Sequence, residues 1–384
     1  MYLLKETVDF MRPIKTLTGL RFLAACYAFI FHINLPFRTP LTWLPGRIQT
    51  VIQQGSLGVT VFFVLSGFVL AYSHLKDFRT PEVKGLGYTG RFMFKRMARI
   101  YPVFLVGMLA CFLVSLRTGT LPGWKLMLMS AVFVQTYFPS LAMRWYDSGA
   151  WSVANEIFFY LLFPLLLPLV LRLRTRTGLF IALAGVILVN GGIGLAFRLH
   201  PEWNQLLEYA FPPSRLPEFI AGILIAVLIS VHGWKMPVWT AVVGLLLTAV
   251  YLAFGAPHFN AGSLIHHLVL LPVLAVVFAV LYQPVQSPVF AWLESRPMQY
   301  LGQISYCFYI AQLPLLFMLA AVLDKGYIRH DNWLVLPVLL MVSLLCAVLL
   351  HELVEKKAHL AAMSWYKKNL TEQASVSQGE KAAA

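Results

Sequence analysis

Ten apolar runs, each long enough to cross a lipid bilayer as a helix, constrain this chain more than any other feature. They lie at about 17–35, 56–75, 101–117, 153–171, 178–196, 217–232, 236–254, 263–282, 298–322 and 333–351. A hydrocarbon core about 30 Å thick takes about 20 helical residues. Inside it every backbone N–H and C=O needs a partner, which only helices and closed barrels supply. These runs are helix-length rather than short alternating strands, so a helix bundle follows rather than a barrel. Of 384 residues, 59% are hydrophobic and 12% charged, where a soluble domain carries about 25% charged residues. The mean hydropathy is +0.73. The expected fold class is an all-α integral membrane protein with ten transmembrane helices. One further apolar segment, 124–138, is too short to span and reads as a re-entrant or interfacial helix. The lead-in to the first run (Lys5, Arg12, Lys15) is basic and is not followed by a small-residue cleavage site, which argues against a signal peptide.

Lysine and arginine orient the bundle. With ten spans and the N-terminus inside, 21 of the 30 fall on the inner side, among them the seven from Lys76 to Arg99 and the three from Arg172 to Arg176. Counting 124–138 as a span would move Arg172–Arg176 outside, so the bias favours ten spans with both termini cytoplasmic. The formal charge of +14 then reads as positive-inside bias and attraction to anionic lipid headgroups rather than nucleic-acid binding. Residues 1–368 form one transmembrane domain, and 369–384 a polar tail expected to be disordered. The four cysteines lie inside apolar runs without metal-ligand spacing, and no metal is expected.

The first run carries Arg21 and His32. Eleven residues are within about 20° of three helical turns, so the two share a face, about 16 Å apart along the axis. An ionisable residue at mid-membrane depth is a functional candidate. Other candidates follow along the chain. Ser66-Gly67 permits close approach of a ligand, or ordinary helix packing. Arg96 and Arg99, i and i+3 at the start of a helix, suit either a phosphate or lipid headgroups. Glu156, with Trp151 and Ser152 before it and Tyr160 one turn on, lies about one turn inside a helix near the outer face. It can orient a histidine, bind a sugar hydroxyl, pair with an arginine, or cap the helix. Arg215 and Glu218 are spaced as an intrahelical ion pair. The stretch 197–216 suits either a carbohydrate rim or an interfacial belt. Tyr306, Tyr309 and Gln312 share a membrane helix, and His351, Glu352 and Glu355 end the last span. His266-His267 does not read as a metal site.

Taken in order, these motifs resemble the acyltransferase family 3 membrane proteins, bacterial O-acetyltransferases of surface polysaccharides among them, in the form without an appended esterase-like domain. The resemblance covers about 14–360. It rests on Arg21 and His32, Phe62–Phe68 (FFVLSGF), and Arg96 and Arg99 before Ile-Tyr-Pro. It rests also on Trp151, Ser152, Glu156, Phe159 and Tyr160; on Arg215, Glu218, Phe219 and Gly222; and on Leu301–Tyr309 and Glu355. Two positions depart from it. Gln312 stands where a His is common, and Asn155 replaces an apolar residue beside Glu156.

The resemblance implies transfer of an acyl group, acetyl first of all, from cytoplasmic acyl-CoA to a carbohydrate hydroxyl, by a multi-pass protein of the cell inner membrane. On that reading Arg96, Arg99 and Ser66 bind the donor, and His32 is the general base or an acyl carrier. Arg21 holds the pyrophosphate or stabilises developing charge. Glu156 serves the acceptor side, with Trp151, Ser152, Tyr160, Arg215, Glu218, Tyr306 and Gln312 as substrate contacts. The alternatives are acylation of a small-molecule or antibiotic sugar and, in another class, a polytopic transporter or flippase. No inverted repeat supports the transporter.

Overall fold

The computed structural model describes residues 14–34, 41, 43–77, 86–260, 262–327, 333–366 and 368. The tail expected from 369 onward lies outside them. Among the described residues the structure is helical and turn, with no strand. Among the described residues nine helices are long and apolar enough to cross a membrane, and the tenth apolar run forms a shorter helix, Val238–Phe254. All ten runs therefore appear.

The chain forms α1 (Lys15–Ile33), α2 (Gly46–Gln53), α3 (Leu57–His74), α4 (Leu86–Thr118), α5 (Trp124–Ala131), α6 (Asp147–Leu171), α7 (Arg176–Leu199) and α8 (Leu206–Tyr209). There follow α9 (Pro212–Ser230), α10 (Val238–Phe254), α11 (His267–Leu281), α12 (Pro288–Leu293), α13 (Arg296–Gln303), α14 (Ser305–Asp324) and α15 (Val335–Leu350). A π-helical turn, His351–Glu355, continues α15.

Three boundaries differ from the hydropathy reading. The third run sits in one 33-residue helix, α4, with Pro102 in its interior. The basic stretch before Pro102 is rich in Arg, Lys, Met and Ala, all good helix formers, so helix precedes the apolar run as well. Arg96 and Arg99 thus lie mid-helix, not at a helix start. The run 298–322 is broken at Ile304, which caps both α13 and α14. Finally, α6 begins at Asp147, so Glu156 lies nine residues in, about 13 Å from the helix start. That depth removes the helix-capping reading of Glu156.

The segment 124–138 folds as the eight-residue α5 and a 3₁₀ turn. It does not cross: Trp145, just before α6, donates its indole N–H to Ser115 Oγ at 3.1 Å, at the far end of α4. Helix α6 therefore returns antiparallel to α4, and Arg172–Arg176 arrive at the end that holds Arg96 and Arg99.

The core is centred on α9, whose apolar stretch is the most buried of the nine. It packs against α3, α6, α7 and α11. Its closest approach is to α3, where Gly67 and Gly222 face the opposite backbone. A Cβ on Gly222 would lie 2.0 Å from Val64 O, and one on Gly67 2.1 Å from Phe219 O. Small residues let membrane helices approach this closely. On the other side of α3, α1 packs against α3, α13 and α14, and α14 against α4 and α15.

Candidate active site

A narrow cavity runs between α1, α3, α4, α6 and α14, with a volume of about 100 Å³, room for several water molecules. Three guanidinium groups, Arg21, Arg96 and Arg99, line it together with Glu156. Ser66, Ser152, Tyr160, Tyr306 and Tyr309 complete its polar lining.

Each arginine is held differently. Arg99 donates from Nε to Glu355 Oε1 at 2.9 Å. Glu355 also meets His351 Nδ1 at 2.7 Å and accepts from the Cys307 thiol at 3.2 Å. The π turn brings His351 and Glu355 onto one carboxylate hub behind the cavity wall. Arg96 lies over the Phe92 ring, 5.3 Å from its centroid. Arg21 is half-buried, and its buried Nε has no hydrogen-bond partner among the described residues. A buried donor on a cation, left unpaired, is costly, so the site suits an anionic group brought by a ligand.

Glu156 lies in the field of Arg21, Arg99 and Arg96. It accepts from the Tyr160 hydroxyl at 2.9 Å, and Tyr160 in turn accepts from Ser66 Oγ at 3.4 Å. The apolar run alone places Glu156 near the outer face, on the acceptor side. The structure brings it instead to the arginines, because its helix starts six residues earlier than the apolar run.

His32 does not line this cavity. Its Nδ1 is 3.0 Å from Gln312 Oε1, and both side chains are buried. Its ring centroid is 6.2 Å from that of Tyr309, which does line the cavity. The Tyr309 hydroxyl donates to Gly149 O and accepts from Ser152 Oγ, the latter at 3.1 Å. Tyr309 is thus the shared wall between the arginine-lined space and the His32–Gln312 pair. In the sequence its i−3 spacing from Gln312 is the signal that marks Tyr309. Tyr306 donates to Ile100 O at 3.0 Å and ties α14 to α4.

Besides Gln312, three residues expected to touch substrate lie off this cavity: Arg215, Glu218 and Trp151. Arg215 is 2% exposed and pairs with Glu218 at 2.9 Å. It donates to Thr60 Oγ1 at 3.3 Å and lies over the rings of Phe63 and Trp151. His267 closes this network against Thr60 at 2.9 Å and Asn190 at 3.0 Å. Buried charges need such partners, and these come from α3, α7 and α11, which i, i+3 spacing does not reveal. Trp151 packs between Phe63 and Tyr209 rather than on the cavity. In the 197–216 stretch, Glu208 is likewise buried, accepting from Ser263 Oγ at 2.6 Å and Leu264 N at 2.7 Å.

A ten-run helical bundle with an arginine-lined slot between its helices is the class of protein defined so far. Residues 14–352 match the acyltransferase domain of acyltransferase family 3, and the chain belongs to that family. It is similar to acyltransferase MdmB of Streptomyces mycarofaciens, 32% identical over 254 residues, 62% of this chain and 63% of that protein. It is also similar to O-acetyltransferase OatA of Staphylococcus aureus, 23% identical over 357 residues, 84% of this chain and 55% of that one. A third relative, nose resistant to fluoxetine protein 6 of Caenorhabditis elegans, is 25% identical over 57% of this chain and 32% of its own length. The chain thus spans between a third and just under two thirds of these relatives' lengths. No solved structure matches it.

Proposed function

We propose that this protein is an O-acyltransferase of the cell inner membrane, moving an acetyl group from cytoplasmic acetyl-CoA to a carbohydrate hydroxyl. The observation that carries the reading is the convergence of Arg21, Arg96 and Arg99 on one slot whose opposite wall, Tyr309, touches His32. Guanidinium groups fork onto phosphate oxygens, so the three arginines suit the anionic nucleotide end of coenzyme A, with the unpaired Arg21 Nε as one donor awaiting a partner. The uncharged pantetheine arm suits a narrow slot between helices. The relative OatA is an O-acetyltransferase by name, which supports acetyl as the group moved.

In the reaction, the acceptor hydroxyl oxygen attacks the thioester carbonyl carbon. A C–O bond forms and the C–S bond breaks. His32 takes the hydroxyl proton and returns it to the departing thiolate, giving the ester and free coenzyme A. An arginine near the carbonyl offsets the charge that develops on its oxygen.

Acetyl-CoA-dependent release of coenzyme A, measured with the chain in native membranes that carry their own glycans, tests this. His32→Ala should lose about 10²–10⁴-fold in turnover, the scale of general acid–base catalysis. Arg96→Ala with Arg99→Ala should raise the Michaelis constant for acetyl-CoA. Wild-type turnover in His32→Ala overturns the role of His32, and absence of any acetyl-CoA binding by the wild-type chain overturns the whole reading.

A further inference from the structure

Behind the wall that carries Arg99, a thiol, an imidazole and a carboxylate meet away from water. Cys307 comes from the first turn of α14, and His351 and Glu355 from the π turn that continues α15. All three are buried, and their candidate ligand atoms lie within 4.8 Å of one another. The contacts centre on one atom, Glu355 Oε2: Cys307 Sγ is 3.2 Å from it and His351 Nδ1 is 2.7 Å from it. Cys307 and Glu355 are 48 positions apart, so no local ligand spacing marks the cluster in the sequence.

Three observations suit this cluster to a metal ion. His351 and Glu355 are i and i+4, the spacing by which a helical turn presents two ligands to one ion, and π turns concentrate at functional sites. No other group competes for the imidazole. Its Nε2 is buried without a hydrogen-bond partner among the described residues, and a buried nitrogen left unpaired marks a place for water or an ion. The second oxygen of Glu355, Oε1, accepts from Arg99 Nε at 2.9 Å, the kind of outer hydrogen bond that a ligating carboxylate carries. Tetrahedral zinc, with bonds of about 2.0 Å to oxygen or nitrogen and about 2.3 Å to sulfur, sets its ligand atoms about 3.3–3.5 Å apart. The Sγ to Oε2 distance is already close to that, and Nδ1 needs to move out by about 0.6 Å once no proton lies between it and the carboxylate.

We propose that Cys307, His351 and Glu355 form a site for one divalent ion of the zinc class, with water in the fourth position. On binding, the Cys307 thiol releases its proton to solvent and its sulfur bonds the ion; no electron moves. Thiolate and carboxylate then bring two negative charges against the two positive charges of the ion. The balance matters because Arg99 is 2.9 Å from the same carboxylate, and an uncompensated second cation there would be costly. The ion ties the start of α14 to the end of α15 and fixes the carboxylate that holds Arg99. The site stands whether or not acetyl-CoA is the donor.

Cobalt(II), titrated into the untagged full-length chain in detergent after chelator treatment, tests it. A thiolate ligand gives cobalt a near-ultraviolet charge-transfer band that oxygen and nitrogen ligands do not. The wild-type chain should take up one equivalent with this band, and one equivalent of Zn²⁺ should abolish it. Cys307→Ser should lose the band, and His351→Gln should weaken cobalt binding at least about tenfold, the loss that even an outer partner of a metal ligand causes. Cys346→Ser removes a thiol of α15 outside the cluster and should titrate as wild type does. The wild-type titration decides even if a variant fails to fold: absence of the band there overturns the site. A band that persists in Cys307→Ser overturns it equally, because the thiolate would then come from another cysteine.

Discussion

The contact between His32 Nδ1 and Gln312 Oε1 decides which histidine nitrogen carries the proton. An amide oxygen only accepts, so Nδ1 carries the proton and Nε2 keeps its lone pair, the form a general base needs. The family resemblance leads one to expect histidine at position 312, yet an amide does this orienting work without titrating. Gln312→Leu removes the acceptor and leaves Nδ1–H buried and unpaired. Turnover should fall by up to about 10²-fold, the scale of losses from slight misplacement of a catalytic group. The Michaelis constant for acetyl-CoA should stay unchanged, because the arginines that suit the donor line a cavity that Gln312 does not. Gln312→His should recover part of the loss. Steady-state kinetics of the two variants side by side checks this, and full turnover in Gln312→Leu contradicts it. At this scale the sequence exposed the chemistry but not its partners. The Arg21–His32 register was readable from helix periodicity alone. The Arg99–Glu355 pair joins residues 256 positions apart, and nothing local in the sequence announces it.

Among the elements, α3 and α9 show how the bundle gains its rigidity. Their backbones meet where Gly67 and Gly222 leave room, so the packing depends on the missing side chains. Gly222→Ala would push a methyl group to 2.0 Å from Val64 O, a backbone atom that cannot move aside alone. Overpacking of this kind costs about 1–3 kcal/mol. Gly185 in α7 has nothing within 4 Å of its Cβ position, and its replacement by alanine should be neutral or stabilise by about 0.5–1 kcal/mol through helix propensity. Thermal unfolding of the two variants in detergent should therefore shift in opposite directions or, at the least, only for Gly222→Ala; equal transitions would show the contact to be slack. Element existence was legible in the hydropathy, since lipid leaves a helix of fixed minimum length as the only open structure. Element ends were not. The amphipathic half of α4 carries too many cations to register as apolar, and α6 begins before its apolar run does. That second error is what displaced Glu156 toward the outer face in the sequence reading.

Across the whole molecule, charge and connectivity point to one orientation. The end that holds Arg96 and Arg99 also receives Arg172–Arg176, because α5 fails to cross and α6 returns antiparallel to α4. Among the described residues the opposite end holds Arg47, Arg117, Lys125, Arg144, Arg198 and Lys325, far fewer cations. On the proposed reading, the positive-inside bias sets the arginine slot toward the cytoplasm, the side of the proposed acyl-CoA donor. Single cysteines read this directly. Lys95, Lys357, Lys125 and Glu202 are all exposed. A membrane-impermeant maleimide applied outside intact spheroplasts should label Lys125→Cys and Glu202→Cys, and should reach Lys95→Cys and Lys357→Cys only after lysis. The native thiols add little background: Cys111 and Cys307 are buried, and Cys26 and Cys346 are half-buried within helices of membrane-spanning length. Labelling of Lys95→Cys from outside would reverse the bundle, and with it the side from which the donor must enter.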